Sequence, residues 1–267
     1  MKFARFEKDS MTDHAVVEDN KLKVLKGDFL TEVAFSGQEY NLDEVRLLAP
    51  VVPGKIIAVG LNYLDHIKEF GDRPVPENPT LFLKIPSTVI GPEDDIVLPK
   101  DYQRVDYEAE LAVVISKHCY DVTAEEAVDY IFGATCLNDV TERVVQKADG
   151  QWTRGKNFPT FCPIGPYIVT GLDLTQLDIC SRLNGEVKQS SNTRHFLWTP
   201  AELISFISKS IPLEAGDVVT TGTPSGVRRA QRGRARRRCG RRRRSCARRS
   251  PPPGSSAATG IDRSPLR

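Results

Sequence analysis

Residues 106–115, DYEAELAVVI, alternate so that an extended chain sets Glu108, Glu110, Ala112 and Val114 on one face and Tyr107, Ala109, Leu111 and Val113 on the other. Beyond Glu110 both faces are apolar, the pattern of a strand covered on both sides. KIIAVG, LFLKI, DIVLP and DVVTTG read as further strands. Residues 1–52 alternate short apolar runs (HAVVE, KLKVL, LTEVAF) with the turn-like GD and SGQ, which predicts a small β-rich lobe. The main domain then begins at Pro53-Gly54. LNYLDHIKEF reads as a short helix closed by Gly71, and the polar, proline-rich GDRPVPENPT after it is a loop long enough to move. Capping boxes at Thr123/Glu126 and Thr199/Glu202 start two more helices. The first is predicted to end at Gly133, the second to carry Leu203, Phe206, Ile207 and Ser210 on one side. Between them, Asn184-Gly185 supplies the positive φ angles of a tight turn, so LDICSRLNGEVKQS is a hairpin. Strands outnumber helices and no segment repeats. The expected class is α+β, built on a mixed or antiparallel sheet.

Charge divides the chain. From Arg228 to Arg267 there are 15 arginines, no lysine and one acid, Asp262, a net of +14, whereas residues 1–227 carry 22 basic and 34 acidic residues, a net of −12. The overall +2 is the sum of two unlike compositions. With 267 residues and 40% hydrophobic content, one sizeable domain plus a small one can be buried. No run reaches the ~18 apolar residues of a bilayer span, and MKFARFEKDS lacks the apolar core of a secretory signal, so the expectation is a cytoplasmic protein without a membrane partner. Cys119, Cys136, Cys162 and Cys180 match neither a zinc-knuckle spacing nor a dense secreted framework, and are expected as buried, reduced thiols.

The glutamates at the mouth of the 106–115 strand repel each other unless a cation or protons compensate. Spacing alone favours the plainer reading, a strand emerging into solvent with Glu108 and Glu110 wet. A third acid, Asp139 in ATCLNDVTERVVQ, is by itself an N-cap or loop acid. With Glu108 and Glu110 it completes an all-oxygen set suited to a hard cation such as magnesium or manganese rather than zinc. His66 and Glu69, three apart on one side of a short helix, are either an exposed surface pair or an imidazole whose basicity a carboxylate raises. Lys156 in WTRGKNF and Thr223 in TGTP are, taken singly, a solvated lysine and a turn residue.

Taken in order, GLNYLDHIKE, LFLK, DYEAEL, CLNDVTERVVQ, WTRGKNF, NGE and TTGTPSG resemble the fumarylacetoacetate hydrolase family over about residues 53–227. The resemblance implies a β-roll-like catalytic domain, a homodimer, and a magnesium or manganese ion held by Glu108, Glu110 and Asp139. It implies that His66 and Glu69 form a water-activating dyad on a lid, that Lys156 stabilises oxyanion charge, and that Gln146 and Thr223 lie near the oxygens of a small acidic oxo substrate. The reaction it favours is hydrolytic C–C cleavage of an acylpyruvate-like compound in aromatic catabolism, with isomerisation of a 2-hydroxyhepta-2,4-diene-1,7-dioate and oxaloacetate decarboxylation as alternatives.

The family pattern continues past TGTPSGV into further strands, whereas this chain turns into RRAQRGRARRRCGRRRR. Residues 228–267 have almost no apolar content to bury, and the expectation is disorder. A nucleic-acid-binding arm is the functional alternative, set lower because no aromatic residues interleave the arginines and no binding fold is recognisable. Arginine, alanine, glycine, proline and serine are what GC-rich codons give out of frame, so the switch is read as a frameshift near Val227. Resequencing that junction should reveal a base insertion or deletion. An intact frame encoding RRAQRG in several independent isolates would overturn the reading.

Overall fold

The computed structural model describes residues 1–69, 71, 74–227 and 259–261. In chain order, β1 (Lys2–Lys8), β2 (Met11–Glu18), β3 (Lys21–Leu25), β4 (Phe35–Asn41) and β5 (Arg46–Leu47) precede β6 (Ile56–Gly60), α1 (Leu64–Lys68), β7 (Thr80–Lys84), β8 (Val89–Ile90) and β9 (Val105–Asp106). Then come β10 (Ala109–Ile115), α2 (Ala124–Ala127), β11 (Ile131–Asn138), β12 (Thr141–Glu142), α3 (Arg143–Asp149) and α4 (Thr153–Lys156). The remainder are β13 (Cys162–Pro163), β14 (Ile168–Val169), β15 (Asp178–Leu183), β16 (Glu186–Asn192), α5 (Pro200–Ser208), β17 (Val218–Thr220) and β18 (Thr259–Ile261).

An eleven-stranded sheet runs β4-β3-β2-β1-β14-β11-β10-β17-β6-β7, with β5 on β1. It is mixed, because β17 and β6 are parallel while β10 pairs antiparallel with both β11 and β17. The sheet is also rolled. In a flat sheet four steps from β11 to β7 span about 19 Å, yet Lys84 at the end of β7 lies 2.7 Å from Asp139, the residue after β11. Only curling brings the two within side-chain reach, which is the β-roll expected. The N-terminal strands continue the same sheet through the β1–β14 pairing.

β10 is buried along its whole length. Ala112 and Val114 pack on one side with Phe3, Ile56, Leu137 and Val218, while Leu111, Val113 and Ile115 pack on the other with Ile57, Val219, Ile204 and Ile207. The alternation in the sequence is therefore two cores separated by one strand.

Both capping boxes form, and Asn184 and Gly185 take φ of 55° and 84° in the β15–β16 turn. Three expectations need correction. The helix starting at Thr123 gives way to a 3-10 turn at Val128 and then to β11, so Gly133 is a strand residue and not a helix stop. A Cβ at Gly133 would lie 2.7 Å from the Val169 carbonyl oxygen, so the glycine lets β14 approach. DIVLP forms no strand beyond a single bridge at Ile96. On α5 the buried stripe is Leu203, Ile204, Ile207 and Ser208, rotated from the predicted face, with Phe206 half-buried and Ser210 exposed. Cys119, Cys136 and Cys162 are buried and in no disulfide, and Cys180, likewise unbridged, is half-buried.

Among the described residues no helix is long and apolar enough to cross a membrane. The expectation of disorder for 228–267 falls outside the described residues, apart from Thr259–Ile261, which pair parallel with β15. Replacing Gly133 with alanine should cost about 1–3 kcal/mol through overpacking against β14, read as a lower urea midpoint at unchanged slope.

Candidate active site

The β10–β11 register, Ala109 opposite Asn138, puts Glu108 directly across from Asp139. The Asp139 amide donates to the Glu108 carbonyl at 2.8 Å, and the Glu108 amide donates to Asn138 Oδ1 at 3.0 Å. Glu110 follows two residues on, on the same face. One oxygen from each of Glu108, Glu110 and Asp139 falls in a group whose members all lie within 4.8 Å of one another. The three are 3%, 2% and 0% exposed, which overturns the solvated reading of the glutamates. Nor is Asp139 a helix cap, since Glu142 caps α3 by accepting from the Val145 amide at 2.6 Å.

Like charges this close and this dry require cations or protons. Lys84 donates to Asp139 Oδ1 at 2.7 Å and to the Lys156 carbonyl at 2.6 Å. Lys156, closing α4, donates to Glu108 Oε2 at 2.6 Å and to Asp139 Oδ2. Arg143, opening α3, donates to Glu108 Oε1, to Asp106 Oδ2 at 2.8 Å and to Gln146 Oε1 at 3.0 Å. Burial opposes ionisation of Glu108, but Arg143 and then Lys156 hold its carboxyl well below the ordinary range. For Glu110 burial acts first and the charges of Asp139 and Glu108 add to it, driving its carboxyl well above that range. Its Oε2 accepts from the Gly222 amide at 3.1 Å. Behind the cluster, burial pushes the Cys162 thiol up to about 12, so it stays protonated.

The cluster opens on a cavity of about 270 Å³. His66, on α1 and 5% exposed, reaches the same cavity. Its Nδ1 lies 2.9 Å from Glu69 Oε2, and the other Glu69 oxygen accepts from the Gly226 amide at 2.8 Å. His66 is buried while Glu69 is exposed and lies outside the cavity lining, so the histidine alone departs from the reading of an exposed helix-surface pair. Lys156, Gln146 and Thr223 also line the cavity. The Thr223 hydroxyl donates to the Ala109 carbonyl at 2.9 Å and accepts from Gln189 at 2.8 Å, so it is committed to the protein itself.

Sequence reasoning gave no role to Lys84, Arg143, Asp106, Lys147 or Trp152. A usable signal existed for two of them: Lys84 ends an apolar strand, and three converging carboxylates demand counter-charges, of which Arg143 is four residues from Asp139. Trp152 forms a wall whose position depends on Gly60, where a Cβ would lie 2.7 Å from the indole ring. Phe82 meets that indole edge-on at 5.2 Å, and the Lys156 ammonium sits 4.8 Å over the Phe82 ring.

The donor set fits magnesium or manganese. All donors are carboxylate oxygens, and oxygens about 2.1 Å from a small cation lie at most about 4.2 Å apart, so a 4.8 Å spread closes with a slight inward movement. Asp106, Glu108, Glu110 and Asp139 face Lys84, Arg104, Arg143 and Lys156, four charges of each sign if all are ionised. An added divalent ion would make the centre positive, and Lys156 would have to yield its two carboxylate oxygens.

Residues 55–248 match the family described as fumarylacetoacetate (FAA) hydrolase C-terminal, and residues 1–50 match one described as Rv2993c-like, N-terminal. An uncharacterized protein of Archaeoglobus fulgidus is 51% identical over 208 residues, 77% of this chain and 83% of its own. Human mitochondrial oxaloacetate tautomerase FAHD2B is 45% identical over 190 residues, 69% of this chain and 60% of its own. Among solved structures, a 5-carboxymethyl-2-hydroxymuconate delta-isomerase from Mycobacterium smegmatis superposes with a TM-score of 0.81 at 38% identity, covering 86% of this chain and 91% of that one. A fumarylacetoacetate hydrolase from Exiguobacterium antarcticum gives 0.77 at 38%, covering 85% and 88%. With its rolled sheet and buried acidic cluster, the chain belongs to the fumarylacetoacetate hydrolase family of enzymes.

Proposed function

We propose that this enzyme depends on magnesium or manganese and hydrolyses a C–C bond in a small acylpyruvate-like acid. The observation that carries the reading is the sharing of one cavity by an all-oxygen cluster and a carboxylate-oriented histidine. Glu108, Glu110 and Asp139 would hold the ion, which supplies Lewis-acid stabilisation of enolate charge when bound.

The chain's own residues divide the remaining work. His66, oriented through Nδ1 by Glu69, takes a proton from the water that adds to the substrate carbonyl. As the C–C bond breaks, its electron pair passes to the enolate of the leaving 2-oxo acid, and the enolate carbon takes up a proton to complete the balance. Lys156, once drawn from its carboxylates, donates to oxyanion charge. Lys147 stands exposed at the cavity rim and meets the substrate's carboxylate. Gln146 and Thr223 lie along the path of the substrate's oxygens, and Trp152 with Phe82 limits entry of bulk water. A homodimer in the cytoplasm belongs to the same proposal.

A second reading, proton transfer in a 2-oxo diacid without C–C cleavage, is favoured by the names of the tautomerase and isomerase relatives. It uses His66 on a C–H bond instead of on water.

A panel of acylpyruvates, dienedioates and oxaloacetate, assayed with chelator and after magnesium or manganese is restored, tests the proposal. Acylpyruvate cleavage should vanish with the chelator and return with the ion. Turnover indifferent to chelator would remove the metal, and a panel left unconsumed by frame-checked protein would remove the substrate class. His66→Ala should lower the hydrolytic kcat by about 10²–10⁴ while manganese affinity, read by titration calorimetry, stays within about twofold. Unchanged hydrolysis would refute the dyad.

A further inference from the structure

The side chain of Gln189 is 1% exposed in β16 and touches neither the cavity nor the acidic cluster. Its Oε1 accepts from the Ala109 amide and from Ser181 Oγ, both at 3.0 Å. Its Nε2 donates to Thr223 Oγ1 at 2.8 Å and to the Pro224 carbonyl at 3.0 Å. All four hydrogen-bonding positions of the amide are used. Its orientation is fixed, because the Ala109 N–H can only donate and the Pro224 carbonyl can only accept.

These partners belong to the two halves of the site. Ala109 separates Glu108 from Glu110, and Thr223 closes a ring of hydrogen bonds by donating to the Ala109 carbonyl at 2.9 Å. Just beyond Pro224, Ser225 Oγ donates to Asp65 Oδ2 at 2.7 Å and the Gly226 amide to Glu69 Oε1 at 2.8 Å. Those two bonds grip α1 on either side of His66. The turn lies hard against β16, since a Cβ at Gly226 would stand 2.4 Å from the Lys188 carbonyl oxygen.

We propose that Gln189 is a positioning residue that sets the placement of the His66–Glu69 pair relative to the Glu108–Glu110 strand, by tying both to one buried amide. It rests on the roles proposed for those two groups in catalysis. An apolar side chain of equal length would fill the space but leave the Ala109 amide and the Pro224 carbonyl without partners.

The test uses the full-length chain and hydrogen–deuterium exchange, which needs neither substrate nor metal and so reports even if the proposed reaction fails. Gln189→Met should raise exchange about tenfold, the worth of one hydrogen bond, in residues 64–69 and 222–226 but not in β6 or β17. On the substrate identified by the panel, kcat should drop about tenfold with KM within twofold. Gln189→Glu, which keeps the acceptor for Ala109 and Ser181 but removes the donor to Thr223 and Pro224, should give the same local pattern and serves if Gln189→Met does not fold. Unchanged exchange in α1, or a rise spread evenly over the molecule, would overturn the proposal.

Discussion

The structure depends on burying three carboxylates within 4.8 Å of one another. At an effective dielectric of 20, two unit charges at that separation repel by roughly 3 kcal/mol, and three such pairs approach the whole stability of an ordinary domain. Protonation of Glu110 relieves part of the repulsion, but β10 offers no counter-charge, being apolar on both faces beyond Glu110. Relief comes from Lys84 on β7, Arg143 on α3 and Lys156 on α4. Bringing β7 to the end of β11 requires the sheet to roll. The curvature of the fold and the charge balance of its centre are therefore one problem with one solution.

The same arrangement shapes the chemistry. Arg143 is held by Asp106 as well as Glu108, and Lys84 by a carbonyl as well as Asp139, so both are fixed braces. Lys156 differs: its ammonium lies between Glu108 and Asp139, where an added cation would compete with it, and it also faces the cavity. A lysine of this kind balances the carboxylates by itself and would become available to an anion were a metal ion to take its place. Glu110, pushed toward its protonated form by burial and its neighbours, is the carboxylate whose charge a cation would most restore.

Much of this was legible in the sequence, and unevenly. The alternation of residues 106–115, the two capping boxes and the Asn184-Gly185 turn are local signals, and each formed as read. The burial of Glu108 and Glu110 was not legible from spacing, which favours solvent, and entered only through family resemblance. Pairing explains the gap. That Glu108 faces Asp139 follows from the β10–β11 register, which the alternation of either strand alone leaves undetermined. The misjudged end of the Thr123 helix has the same origin. Gly133 looks like a helix stop along the chain, but it serves contact with β14, which lies 35 residues farther on.

The switch in composition after Val227 falls just beyond Gly226, whose amide holds Glu69. Every residue given a role in the site lies before it: the metal-ligand candidates, their counter-cations, the dyad and the Gln189 hub. Yet the turn from Gly222 to Gly226 carries the contacts to Glu110, Asp65 and Glu69 together. The turn therefore bears on the chemistry through mechanics, by holding α1 and Glu110 in one register. Its seat on β16, where a Cβ at Gly226 would stand 2.4 Å from the Lys188 carbonyl oxygen, keeps α1 in place. Lifting the turn off β16 would loosen His66 while leaving the carboxylates, braced from β7, α3 and α4, where they are.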